Sequence, residues 1–203
     1  MDKKILFEAG KTRFALARNE SVNDEERSVE FVISTEAVDS YNTVFKADGW
    51  DFKRYTENPV VFYQHDFHGS NPDSLIGISE VRQEGNQTIG KVFFEPADVN
   101  PLAEKVFRKI KAGTLRGASI NADVTDGRFG NKDLNEDPEI LYFTRQSLLE
   151  WSIVTVPSNP EALKRTRQDI ELLKKSEAKP ENENGDNKAM SVYKARIINN
   201  KNL

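Results

Sequence analysis

The chain has 203 residues, 37% hydrophobic and 31% charged, which suffices for one domain around a single core and hardly for two. Its formal charge of −4, with no local basic stripe, excludes a protein whose main task is to grip nucleic acid by its phosphates. The absence of cysteine excludes a disulfide framework, thiolate metal sites and thiol catalysis.

Taken in chain order, the first segment, MDKKILFEAGKTRF, lacks the apolar stretch of a secretory leader, and no apolar run approaches the roughly 18 residues of a membrane span. A soluble intracellular protein is expected. Residues 13–18 and 28–35 alternate apolar and polar and predict two strands of a hairpin around a charged loop at 19–27. Residues 38–59, rich in Asp, Asn and Gly and without a clean period, predict a long excursion with at most a short helix. Strands are expected at 60–64, 75–82 and 88–94, the last two joined by a turn at 84–86. A helix should start at the N-cap Asn100 with Pro101 behind it and stop at Gly113, burying Leu102, Val106, Phe107 and Ile110. A strand at 117–124, a polar loop to Asp137, and strands at 140–145 and 148–156 follow. Asn159 and Pro160 read as cap and first position of a second helix running to about Ala178. Residues 179–190 are poor in apolar residues and are expected to be disordered, so the domain is placed at 1–175 and a flexible tail at 176–203. Strands outnumber helices, which predicts an α+β fold: a curved, mainly antiparallel β-sheet or barrel with a few inserted helices.

Three segments place one chemically capable group inside an apolar run. NPVVFYQHD offers the imidazole of His65, LRGASINAD the hydroxyl of Ser119, and LLEWSIVTVPSNPEA the carboxylate of Glu150. Base, nucleophile and orienting acid are the components of serine-type acyl transfer. The order His, Ser, acid matches none of the common serine hydrolase arrangements, and the chain has no G-x-S-x-G elbow. Gly117 and Ala118 allow close approach of a substrate and offer backbone N–H groups to an oxyanion, with Arg116 as a further donor. Against this stand plainer readings: Ser119 as an ordinary strand serine, His65 as a structural histidine, Arg116 as a strand-end charge, and Glu150 as the partner of Arg145 or Arg116 in a structural ion pair. Asp66 is the alternative orienting acid, Ser152 the alternative nucleophile. His65, Asp66 and His68 also permit a metal-dependent hydrolase, although two histidines without an H-E-x-x-H spacing make a weak metal signature.

At these residues the chain resembles the prohead proteases of tailed phages, capsid maturation serine proteases regarded as distant relatives of the herpesvirus assembly proteases. VDSYNTVFKADGW, NPVVFYQHD with IGISEV, LRGASINAD and LLEWSIVTVPSNPEA carry the resemblance, in order, over residues 29–162. It implies a herpesvirus-protease-like fold and an endopeptidase that needs no cofactor and no metal. Such an enzyme works in the host cytoplasm inside the immature capsid, cutting scaffold or delta-domain segments of the major capsid protein and usually itself. Carried over, His65 is the base, Ser119 the nucleophile and Glu150 the third member, where the herpesvirus enzymes use a second His. The family commonly has Gly-Asp after VDS and Gly-Phe after its serine; here Tyr41, Asn42 and Thr43 and then Asn121 and Ala122 stand instead. The herpesvirus relatives also suggest a homodimer or higher assembly. The rival expectation is a non-enzymatic assembly protein that keeps the fold and binds capsid or scaffold.

Overall fold

The structure, a computed structural model, describes residues 21–163. Nine strands form one mixed sheet: β1 (Val22–Asn23), β2 (Ser28–Thr35), β3 (Thr43–Phe45), β4 (Trp50–Asp51), β5 (Val60–Tyr63), β6 (Leu75–Glu84), β7 (Gln87–Phe94), β8 (Gly117–Phe129) and β9 (Leu141–Val154). Two α-helices, α1 (Lys53–Glu57) and α2 (Pro101–Lys111), are inserted between them. This is the α+β architecture with a curved sheet that the strand-rich pattern predicts. The sheet order is β1-β2-β7-β6-β5-β9-β3, with β4 and β8 also paired to β9. β9 organises the fold: β8 runs antiparallel to it, while β3, β4 and β5 run parallel to it in succession.

The curvature brings β2 and β8 to either side of Ala162 and Leu163. The Val32 amide donates to the Leu163 carbonyl (2.9 Å), Leu163 pairs with Gly117, and the Ala118 amide donates to the Ala162 carbonyl (2.9 Å). A register shift between Val32 and Ser34 lets β2 turn toward this contact.

The main core fills the inside of the curve. Phe31, Val61, Ile76, Val92, Trp151 and Ile153 meet there, and α2 lays Ala103, Val106, Phe107 and Ile110 across them. Each Val, Ile or Phe side chain among them contributes about 1.5–3 kcal/mol on burial. Gly90 makes room for Trp151, since a Cβ there would stand 2.9 Å from the indole. The indole N–H donates to Ser79 Oγ (2.8 Å), and the Tyr55 hydroxyl, the one buried side chain of α1, donates to the Val60 carbonyl (3.1 Å). Ser79 and Tyr55 share the remaining bond (2.7 Å), which leaves the Ser79 proton pointing at the phenol oxygen. Burial holds the Tyr55 hydroxyl above its ordinary pKa, so it stays a neutral donor. A second, smaller core joins Leu141 and Phe143 to Phe45 and Val124 at the far end of β9.

The expected helix at 100–113 forms as Pro101–Lys111, with Ala103 buried and the expected Leu102 only partly so: Asn100 Oδ1 accepts from the Ala103 amide (2.9 Å), and Gly113 ends the segment with φ 75°. Other expectations need correction. The excursion at 38–59 holds the short helix α1 and also β3 and β4, two short strands that exist only because they can pair with β9. β8 continues through the predicted polar loop to Phe129, and the two strands expected at 140–156 are one, β9. Bulges at 121/122, 124/126 and 126/127 accommodate the polar residues and Gly127 of β8. Asn159 and Pro160 open no helix within the described residues: Asn159 Oδ1 accepts from the Glu161 amide (2.9 Å), and Ala162 and Leu163 are drawn into extended pairing. The strand at 13–18, most of the second helix, and the tail lie outside the described residues. Among the described residues no helix is long and apolar enough to cross a membrane.

Candidate active site

Ala118, Val61, Trp151 and Ile153 point into the main core. The alternation of strand side chains therefore sends Ser119, Glu150 and Ser152 to the opposite face. Register brings them together there, with Ser119 directly across from Ser152 and Asn121 across from Glu150. Opposed residues in an antiparallel pair stand about 4.5–5.5 Å apart at Cβ, so Ser119 lies one strand spacing from the centre of β9. β5 flanks β9 on its other side, Phe62 beside Ser152, and His65 follows directly after β5.

His65 sits in a tight turn in which the Asp66 amide donates to the Tyr63 carbonyl (3.3 Å) and both central residues are left-handed, Gln64 at φ 60° and His65 at φ 56°. Non-glycine residues rarely hold this conformation. Two bonds from β9 secure it: the Gln64 amide donates to the Ile153 carbonyl (3.0 Å), and the His65 amide donates to Ser152 Oγ (3.1 Å). The turn folds the imidazole back over the sheet, where Nδ1 meets Glu150 Oε1 at 2.7 Å. Glu150 Oε2 in turn accepts from the Ser152 hydroxyl at 2.8 Å. The imidazole is about one-third exposed (32%) and the carboxylate almost fully buried (4%). A carboxylate taken this far from water needs partners, and Glu150 has one on each oxygen.

An ionised carboxylate is an acceptor only, so the contact fixes the proton on Nδ1 and leaves the Nε2 lone pair open. Neither Nε2 nor the Ser119 hydroxyl has a hydrogen-bond partner among the described residues. Ser119 is 8% exposed, in a strand whose start is tightly packed: a Cβ at Gly117 would lie 2.7 Å from the Val154 carbonyl and 3.0 Å from Pro157.

The other residues singled out from sequence fall as follows. Ala118 donates its amide to Ala162, and by ladder alternation the amides of Gly117 and Ser119 face β9. Arg116 is half-buried just before β8. Asp66 accepts from the Ser74 hydroxyl, which ties down its own loop. The His68 ring packs tilted against Phe67, 4.1 Å between centroids, and no group of three metal-ligating side chains occurs among the described residues. Ser152, weighed from sequence as an alternative nucleophile, is fully buried with its proton directed to Glu150. Its link to both His65 and Glu150 is what sequence reasoning missed. The two-residue period does put Ser152 on the same strand face as Glu150, but no local pattern shows that its hydroxyl bonds both Glu150 and the His65 amide.

Residues 85–176 match the model of one protein family, described as the caudovirus prohead serine protease. The matched span contains Ser119, Glu150 and Ser152 and begins after His65. No curated protein and no solved structure gives a match.

Proposed function

Taking the prohead serine protease match over residues 85–176 as the premise, we propose that the chain is a serine endopeptidase of phage capsid maturation, with Ser119 as nucleophile, His65 as general base and Glu150 as orienting acid. The single observation that carries the assignment is the 2.7 Å contact between His65 Nδ1 and Glu150 Oε1, beside the strand that bears Ser119.

The chemistry follows from that contact. With its Nδ1 proton held by Glu150, the imidazole takes the Ser119 proton at Nε2 as the hydroxyl oxygen attacks the scissile carbonyl. The carboxylate stabilises the imidazolium that results. The imidazolium then protonates the leaving amine, and water, activated by the same nitrogen, releases the acyl group from Ser119. Because the Ala118 amide is engaged by Ala162, this reading favours the Arg116 guanidinium as donor to the oxyanion. The substrates are capsid protein and scaffold segments, with the chain itself as a further target, and the site of action is the interior of the immature capsid.

The test is the intact mass, followed over time, of the cognate capsid protein incubated with the wild type, Ser119→Ala and His65→Ala. Defined fragments from the wild type alone are the expected result. Capsid protein left whole by all three would replace this reading with that of a capsid-binding assembly protein.

A further inference from the structure

We propose that Ser152 is a positioning residue of this site, a hydroxyl that locks the orienting carboxylate and the turn carrying the imidazole into one unit; the proposal rests on the protease reading above. Ser152 is completely buried, beyond the reach of a substrate. Its proton goes to Glu150 Oε2 (2.8 Å), and its oxygen receives the His65 amide (3.1 Å). Both partners belong to the site, Glu150 on β9 and His65 in the turn that follows β5.

Each bond answers a specific weakness. The terminal torsion of a glutamate is broad and roughly two-fold, so a carboxylate held through one oxygen alone can swing away from the imidazole. Fixing Oε2 presents Oε1 to Nδ1. The turn at Gln64 and His65 is left-handed at two non-glycine positions, a conformation kept only where the surroundings enforce it. The bond from the His65 amide to Ser152 is one of the two that tie the turn to β9. Removing the hydroxyl therefore loosens both ends of the His65–Glu150 contact at once, and a misplacement of about 1 Å at such a contact can lower a rate about 10²-fold.

The experiment uses the full chain as Ser152→Ala, Glu150→Ala and the double variant. Labelling of Ser119 by a fluorophosphonate and cleavage of the capsid protein are measured together with the proton NMR signal of His65 Nδ1–H and the melting curve. Ser152→Ala should lower kcat about 10²-fold with little change in KM and alter the Nδ1–H signal, while melting stays cooperative. In the Glu150→Ala background the same substitution should lower the rate by much less than about 10²-fold, because the carboxylate it fixes is already absent and only its hold on the His65 turn remains to be lost. Losses that multiply in the double variant, or wild-type kcat with an unaltered signal in Ser152→Ala, overturn the proposal. If the wild type neither labels nor cleaves, the protease reading fails, and the Nδ1–H signal decides the positioning role alone. Should Ser152→Ala not fold, Ser152→Cys keeps the shape with a weak donor. Slowed labelling with normal melting supports the proposal, and wild-type labelling overturns it.

Discussion

The two halves of β9 have different environments, although they are one strand. From Leu141 to Gln146 buried and accessible residues are interspersed, with β3 alongside and a small local core beneath. From Glu150 to Val154 every residue is buried, with β5 on one side and β8 on the other. Thr144 and Arg145 in the first half can turn to water and only Gln146 is shut in, bonded to the Lys46 carbonyl (2.7 Å), whereas in the second half every polar group must find a partner in the protein. That obligation gives Glu150 and Ser152 fixed orientations, and through them the imidazole of His65. The half buried on both faces suits a group that must be aimed; the half with one wet face suits groups that only need to be soluble.

The contrast breaks most sharply at Glu150. Glu150→Gln conserves volume but loses the charge and offers an N–H where Nδ1–H needs an acceptor, so labelling of Ser119 by a fluorophosphonate should slow about 10³–10⁴-fold, or about 4–5.5 kcal/mol of barrier. A loss of less than about ten-fold would remove Glu150 from the mechanism. Next in size is Trp151→Ala. Trp151 is fully buried, lies 5.8 Å from the Phe31 ring and donates to Ser79. Its removal should cost about 3–5 kcal/mol in denaturant unfolding and leave the Ser79–Tyr55 pair short of a donor. An equally large effect from truncating Leu141, at the other end of β9, would abolish the distinction between the halves.

These differences were only partly visible in the sequence. The helix α2 was, because Asn-Pro and Gly bracket an apolar period and nothing distant competes with them. His65, Ser119 and Glu150 stood out as polar residues in apolar runs, yet their proximity depends on a parallel pairing of β5 with β9 across about ninety residues, which no local pattern encodes. The turn at Gln64 and His65 gave no signal because its left-handed residues are not glycine. β3 and β4 were invisible for the same reason as the β5–β9 pairing: each is too short to form without the partner. At Asn159 and Pro160 a sound helix-start signal was overridden by backbone pairing with β2 and β8.

The smallest expected effect lies in the other half. Arg128 on β8 holds Glu136 through both guanidinium nitrogens, one at 2.8 Å, and the Asn131 amide adds a bond at 3.1 Å. The Arg128 hydrogen bonds pull the Glu136 carboxyl below its ordinary pKa despite its partial burial. A depressed carboxyl contributes stability above its unfolded pKa of 4.5 and loses it as pH falls through the folded value. Glu136→Gln should therefore lower stability by about 1–2 kcal/mol at neutral pH, with the gap to wild type closing progressively below about pH 4.5. Thermal melts of both proteins across that range measure it. The rate of Ser119 labelling should stay at the wild-type value, because this pair lies in the half of the hairpin where charges steady a surface loop and aim nothing at the site. A slowed rate would mean that the two halves of β9 are mechanically coupled, and that the distal pair helps set the register in which Ser119 faces Ser152.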